Sequence, residues 1–479
     1  MEGLEKGLEE LRQTFGSGKT RDAAWRKSQL RGLLRLLNEE EEEIFRVLHE
    51  DLGKHRVEAY RDEVGVLKKS VNFALENLDG WMAAKKVKLP WLVWPSKGEV
   101  VAEPLGLVLL FSSWNFPIGL TLECLIGAIS AGNVVVLKPS EQSPASSLFL
   151  ANCIPMYIDS KAVKIYEGGS SVAEKLLEYK WDKIFFTGSA RVGRIVMTAA
   201  AKHLTPVTLE LGGKCPGIVD SCLSLHDKKV TAQRIVAGKW GTCCGQACVG
   251  IDYLLVEEKY ASEMVDLLIR KIKQFFAKNH LSRIVNKQHF HRLSNLFNDP
   301  AVAASIVHGG SRNIKDLVIE PTIMLNPPLD AEIMTEEIFG PLLPIITLNK
   351  IEDSIEFLRS RPKPLAIYAF TNDEKFQRRI VAETSSGNIT FNDAVIQYAL
   401  DALPFGGVGG SGFGKYHGKY SFDTFSNDKA VLRRGFLVEI SFRYPPWDDL
   451  KLQFIRACYD FDYIGLLRLI LGLRSRRLI

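Results

Sequence analysis

A chain of 479 residues is long enough for two or three domains around a large buried core. Its hydrophobic fraction of 46% and charged fraction of 24% are those of an ordinary soluble globular protein. The net charge of +5 is small for this length and dispersed, which excludes the electrostatic footprint of a nucleic-acid binder.

Eight cysteines form no disulfide framework, and several lie in apolar runs, so a reducing, cytoplasmic compartment is expected. The acidic, helix-patterned start from Met1 to Glu10 has the features of neither a signal peptide nor a transit peptide. No apolar run reaches the ~18–20 residues of a membrane-spanning helix.

Residues 1 to about 80 read as helices, with Leu30, Leu33, Leu34, Leu36 and Leu37 at three- and four-residue spacings. Gly16-Ser-Gly-Lys-Thr20 resembles part of a phosphate loop, but Gln13 stands where its first glycine belongs and no strand precedes it. Residues 81 to 103 carry Trp81, Trp91 and Trp94 with Pro90 and Pro95 between two short basic, β-prone runs, and predict a hairpin. Either an ordinary surface hairpin or one that meets a partner subunit fits.

From Leu105 to Gly213, short apolar strands alternate with helices. Strands are predicted at residues 106–111, 134–137, 163–166, 183–186 and 206–209, and helices at 120–131, 146–156, 172–177 and 192–203. This alternation implies a parallel sheet covered on both faces, with ligands bound beyond the carboxyl ends of the strands. Three strand ends carry suggestive residues: Ser113 to Pro117, Lys138 to Glu141, and Thr187-Gly188-Ser189 with Gly193. A glycine turn opening a helix offers N–H groups to a phosphate, although Gly188-x4-Gly193 is not GxGxxG and such glycines often mark only a tight turn. Lys138 and Glu141 can hold ribose hydroxyls, and an acid there favours a ribose without a 2′-phosphate.

A second α/β stretch from about Cys215 to Leu400 has strands at residues 253–256 and 344–348 and helices near 261–276 and 351–359. Glu336-Glu337 leads into buried-looking sequence, and Leu403 to Gly414 reads as a packed glycine-rich loop. Cys243, Cys244 and Cys248 admit three readings. As a zinc site they lack a fourth ligand, so no metal is expected. Core packing suits Cys243 and Cys244. Cys248 is a candidate nucleophile, a role usually helped by a positive environment that lowers the thiol pKa.

Taken in order, Trp114-Asn115-Phe116-Pro117, Lys138-Pro-Ser-Glu141, Phe186-Thr-Gly-Ser189, Leu209-Glu210-Leu-Gly-Gly-Lys214, Gly245-Gln-Ala-Cys248, Glu337-Ile-Phe-Gly-Pro341 and Pro404-Phe-Gly-Gly-Val408 resemble the motifs of the aldehyde dehydrogenase superfamily. Residues 414–425 resemble a stretch of its class 3 branch. The resemblance covers nearly the whole chain. It implies an α/β fold of two Rossmann-type parallel-sheet domains plus a small β bridging and oligomerisation hairpin. The implied NAD(P)-binding domain is residues 1–80 and 104–209, and the catalytic domain 210–418. Bridging segments fall at 81–103 and 419–447, and a C-terminal tail at 448–479.

The implied activity is oxidation of medium- to long-chain aliphatic or aromatic aldehydes to acids with NAD, NADP being possible. Cys248 would attack the aldehyde, Asn115 and the Cys248 N–H would hold the oxyanion, and Glu210 would activate water, a role Glu337 can share. Lys138, Glu141, Gly188, Ser189 and Gly193 would bind the cofactor, with Glu337 on the nicotinamide ribose and Phe339 against the ring. A homodimer is implied. A coenzyme-A-acylating dehydrogenase and a non-catalytic structural protein on the same fold are the alternatives.

Three features depart from the family pattern. Residues 278–282 are short where class 3 members carry a longer loop, Cys215 replaces a usual serine, and Cys243 and Cys244 offer Cys248 an internal disulfide partner. The tail from Ile464 to Leu473, followed by Arg474 to Arg477, is too short to span a bilayer. It suits packing on protein, or peripheral contact with an endomembrane surface.

Overall fold

The computed structural model describes residues 2–90, 93–277 and 281–471. The chain divides into two compact units, one of residues 1–81 and 104–427, the other of residues 82–103 and 428–479.

The larger unit begins with helices. Asp22 caps the Ala23–Glu39 helix by accepting the Ala24 N–H at 3.2 Å, and Leu30, Leu33, Leu36 and Leu37 are fully buried along one stripe. The next helix, Glu41–Leu52, starts on three glutamates, where acids suit the positive end of the macrodipole, and ends at Gly53 with φ 67°.

The first sheet has six strands in the order Gly412–Phe413, Val207–Leu211, Lys183–Gly188, Leu107–Phe111, Val134–Lys138 and Val163–Ile165. All are parallel except Gly412–Phe413. Leu107–Phe111 and Val134–Lys138 are buried at every position, as both-face cover by helices requires. The covering helices are Gly119–Ala131, Pro144–Tyr157, Ser170–Leu177 and Ala190–Ala201. Strand order reverses between Leu107–Phe111 and Lys183–Gly188, and such a switch point opens a ligand crevice.

The second sheet has seven strands in the order Ile306–His308, Thr322–Leu325, Leu342–Leu348, Tyr253–Glu257, Pro216–Val219, Ala366–Phe370 and Asn388–Phe391. Only Ile306–His308 is antiparallel. A core that includes Leu255, Met324, Leu342, Ile346 and Ile367 packs on it.

In the smaller unit, Lys85–Val87 pairs antiparallel with Lys97–Pro104, Lys85 opposite Val100, which is the hairpin expected there. Ser426–Arg433 adds the third strand, held by Lys429 on Glu103 and Arg433 on Glu99. Helices Asp449–Tyr459 and Tyr463–Ile470 bury Phe454, Ala457, Cys458 and Leu466 in a small core. Trp91 of the hairpin, Lys278 to His280 of the shortened loop and the basic end of the tail from Gly472 to Ile479 lie outside the described residues.

Candidate active site

Register brings the first set of site residues to one sheet edge. Leu209, Phe186, Phe111 and Lys138 lie in one row across four strands. One position further on, Glu210 faces Thr187, and beyond Phe111 the chain turns through Ser113, Trp114 and Asn115. Lys138 is buried at its strand end, and its Nζ meets the half-exposed Glu141 at 2.5 Å. Gly188 ends its strand, and Ser189 caps the Ala190–Ala201 helix by accepting the Val192 N–H at 3.4 Å. Gly193 lies inside that helix, where a Cβ would press on Leu211 at 3.1 Å, so the missing side chain lets the helix lie close on the Glu210 strand. The hydroxyl of Thr187 is buried without a partner at this edge.

The cysteine loop leaves the Leu225–Trp240 helix in a contorted path. Cys243, Cys244 and Gly245 all have positive φ, at 47°, 52° and 77°. A side chain at Gly245 would strike the Gly340 carbonyl at 2.3 Å, so glycine allows this loop to abut the segment that carries Glu337. Trp240 Nε1 strengthens the contact by donating to the Pro341 carbonyl at 2.7 Å. Gln246 is fully buried, and its amide nitrogen donates to the Cys243 and Arg283 carbonyls while its oxygen accepts the Val285 N–H. Asn115 Nδ2 donates to the Gln246 carbonyl at 2.9 Å, two residues before Cys248, and Asn115 Oδ1 is buried without a partner.

Cys248 is partly exposed, whereas Cys243 and Cys244 are buried, and all eight cysteines are free. The Cys243 thiol points at the Asn115 carbonyl, 3.4 Å away, so the geometry gives no support to an internal disulfide with Cys248. Cys215 instead lies behind the cysteine loop, its thiol donating to the Cys248 carbonyl at 3.3 Å. Tyr368 holds the next carbonyl, Val249, at 2.6 Å.

The electrostatics differ from the sequence expectation for a nucleophilic cysteine. Burial and then the Glu337 and Glu210 carboxylates push the Cys248 thiol up, and the Val249 and Cys248 backbone N–H groups offset only part of this. Burial also raises Glu210 well above the carboxylate range, and neither of its oxygens has a hydrogen-bond partner of good geometry. Burial and then Asp252 raise Glu337 to about 8. The Cys248 thiol and the two carboxyls perturb one another's titration, and each carboxyl holds its proton more tightly than a free carboxylate does.

Sequence reasoning missed the group that aims Glu337. His289 shares a 2.7 Å hydrogen bond with the Phe339 carbonyl, and Arg292, one turn on, donates to the Ile338 and Glu337 carbonyls. The Trp114 ring sits 5.5 Å from His289 and 5.3 Å from Phe339, edge to face. Burial, then Arg292, lowers His289 to about 4, so at neutral pH its uncharged ring serves as a donor. A His-x-x-Arg pair on a helix is the only sequence trace of this group, and it reads equally as a solvated face.

The raised Glu337 fixes the sign of one pH effect. The folded protein binds this proton more tightly than the unfolded chain, so stability drains as pH rises from about 4.5 toward about 8. Glu337→Gln cannot ionise. Its melting temperature is expected to fall less than the parent's between about pH 5 and about pH 8, which thermal melts at the two pH values check.

The family model for the aldehyde dehydrogenase family matches residues 3–431, and the chain therefore belongs to that family. Within it the chain falls in the family 3 branch. It is 55% identical over 99% of both chains to aldehyde dehydrogenase family 3 member F1 of Arabidopsis thaliana. The substrate-bound structure of Staphylococcus aureus AldH superposes with TM-score 0.91 at 39% identity, over 95% of this chain and 99% of that one. An indole-3-acetaldehyde dehydrogenase complexed with NAD+ superposes with TM-score 0.82 at 25% identity, over 90% of this chain and 88% of that one. The protein is an NAD(P)-dependent enzyme that oxidises aldehydes to carboxylic acids.

Proposed function

We propose that Cys248 is the nucleophile, Asn115 the oxyanion donor and Glu210 the base that activates water. The observation that carries this reading is the convergence of the partly exposed Cys248 thiol on the Glu337 carboxyl and the unpartnered Glu210 carboxyl, with the Asn115 amide bound two residues away. A carboxylate takes the thiol proton, and the sulfur bonds to the aldehyde carbon. The Asn115 amide and the Cys248 N–H stabilise the oxyanion of the thiohemiacetal. The bound cofactor supplies a hydride acceptor. Loss of hydride leaves a thioester on Cys248, Glu210 takes a proton from water as its oxygen attacks the acyl carbon, and the acid departs with the thiol restored.

Residues of the first sheet edge fit a nicotinamide dinucleotide. The partnerless Thr187 hydroxyl and the start of the Ala190–Ala201 helix face the place for a diphosphate, with Gly188 and Ser189 forming the turn and Gly193 setting its depth. Lys138 and Glu141 would hold the adenosine ribose, Glu337 the second ribose, and Phe339 would pack beside the nicotinamide. This assigns residues 104–209, with the helices of 1–80, to cofactor binding and residues 210–418 to catalysis.

Rings of Phe116, Tyr398, Phe405 and His417 lie 5.1–6.2 Å apart in sequence beside the Asn115 turn. They support medium- to long-chain or aromatic aldehydes as substrates. Kinetics over an aldehyde chain-length series with each cofactor are expected to show kcat/KM rising with chain length and larger for NAD than for NADP. Free acid is the expected product. Accumulation of an acyl-coenzyme A thioester instead, only when coenzyme A is added, would assign the chain to the acylating class.

A cytoplasmic homodimer fits the exposed apolar residues of the smaller unit, among them Phe436, Leu437, Ile464, Leu467 and Ile470. Among the described residues no helix is long and apolar enough to cross a membrane. Sedimentation is expected to give twice the chain mass for the full chain and less for one ending at residue 447. Flotation of the full chain with anionic liposomes would assign these residues to a bilayer surface.

A further inference from the structure

The chemistry above leaves a group of buried charges without a role. Lys54 Nζ meets Glu63 at 2.6 Å, and both side chains are wholly buried. A buried ion pair carries a desolvation cost that only close geometry and further hydrogen bonds offset. Here the further bonds go to one turn. Lys54 donates to the Asn115 carbonyl at 2.8 Å and stands 4.1 Å from the centre of the Phe116 ring. The second Glu63 oxygen accepts the N–H groups of Ile118 at 3.0 Å and Gly119 at 2.9 Å. Glu58, one turn earlier, accepts the Cys243 N–H at 2.7 Å and the Ser282 hydroxyl at 2.8 Å. Residues 54–63 therefore grip the Asn115 turn and the cysteine loop together.

We propose that Lys54 and Glu63 are positioning residues that aim the Asn115 amide at the oxyanion, a role that rests on the part given to Asn115 above. Apolar side chains of the same volume would stabilise the fold at least as well. What the ion pair adds is direction. It fixes the carbonyl of the residue whose side chain donates, and it fixes the two N–H groups that end the turn. A donor displaced by a fraction of an ångström loses most of its transition-state benefit, because that benefit depends on geometry set before the charge develops.

The double variant Lys54→Met/Glu63→Gln removes both charges of the pair together, and Glu58 keeps its bonds to the Cys243 N–H and the Ser282 hydroxyl. Glu63→Asp keeps the pair but shortens its reach, and serves should the double variant misfold. Each is compared with Asn115→Ala by thermal melt, by the rate at which iodoacetamide alkylates Cys248, and by kcat and KM for one aldehyde. The expected result is a folded protein alkylated at the parental rate, with KM within about threefold of the parent and kcat lower by ~10–100-fold, the loss a misplaced donor produces. Added to Asn115→Ala, the same changes are expected to lower kcat by less than about twofold more, since the donor they position is already gone. Parental kcat in the folded variants, or full additivity with Asn115→Ala, overturns the proposal while leaving the role of Asn115 intact. Unfolding of both variants overturns it by making the pair structural. Parental kcat in Asn115→Ala itself overturns the oxyanion reading, and the proposal with it.

Discussion

Cys248→Ala is expected to melt like the parent and still bind NAD, yet to lose aldehyde-dependent NADH formation by ~10⁴-fold or more, the scale of removing a covalent nucleophile. None of the neighbouring thiols can stand in. Cys243 and Cys244 are buried and held by φ values of 47° and 52°, and the Cys215 thiol is committed to the Cys248 carbonyl. Cys248→Ser is expected to fall nearly as far, because a serine hydroxyl holds its proton far more tightly than a thiol, so the same carboxylates form much less of the attacking anion. The parent's burst of NADH should itself depend on pH. Burial and the two carboxylates hold the Cys248 thiol protonated, and Glu337 ionises only near pH 8, so the burst rate is expected to rise with pH through about 8. Stopped-flow traces at several pH values check both points. A Cys248→Ala protein keeping more than about a hundredth of the parental rate would place the nucleophile elsewhere.

The four strands between Leu107 and Gly188 were legible because each is a short apolar run followed by a helix with turn residues between, and residues 107–111, 134–138 and 183–188 fall within a position or two of expectation, whereas the edge strand Gly412–Phe413 reads as loop. In the second sheet only two of the seven strands, Tyr253–Glu257 and Leu342–Leu348, were legible. Pro216–Val219 opens on Pro-Gly, which reads as a turn, although a proline at the first position of a strand gives up no ladder bond. Ala366–Phe370 is a uniformly apolar run that periodicity cannot tell from buried helix. At the site, the motif residues could be read because their chemistry is written in side-chain type and order. The supports could not. Lys54, Glu58 and Glu63 lie among surface-like charges, and nothing local marks them as fully enclosed, since enclosure depends on the Asn115 turn and the cysteine loop arriving from distant sequence. The raised thiol pKa was hidden for the same reason: it comes first from burial and then from Glu337 and Glu210 converging on Cys248, and sequence spacing carries neither enclosure nor distance.

Glu210→Gln is expected to turn the enzyme into one that stops after acylation. The Glu210 carboxyl is buried, with its pKa raised by burial and no full hydrogen bond on either oxygen. An amide of the same shape fills that space, but it cannot take a proton from water. In the mechanism proposed above the thiohemiacetal and hydride steps use Cys248 and Asn115, so a burst of one NADH per site should persist at close to the parental rate. Turnover after the burst should fall by ~10²–10⁴-fold, the usual scale of general-base catalysis. The acyl group should then be found on Cys248 by mass spectrometry, and hydroxylamine, which attacks thioesters without help from a base, should release it and restore turnover. Glu337→Gln separates the two carboxyls. Bonds from His289 and Arg292 hold the Glu337 segment, whereas the glycine-rich loop packs on Glu210 at Gly406. A lost burst in Glu337→Gln with a retained one in Glu210→Gln would give Glu337 the thiol proton and Glu210 the water. A retained burst with slow turnover in both variants would make them joint bases for hydrolysis. Loss of the burst in Glu210→Gln would move Glu210 from the water to the thiol, and with it the order of proton transfers proposed for this site.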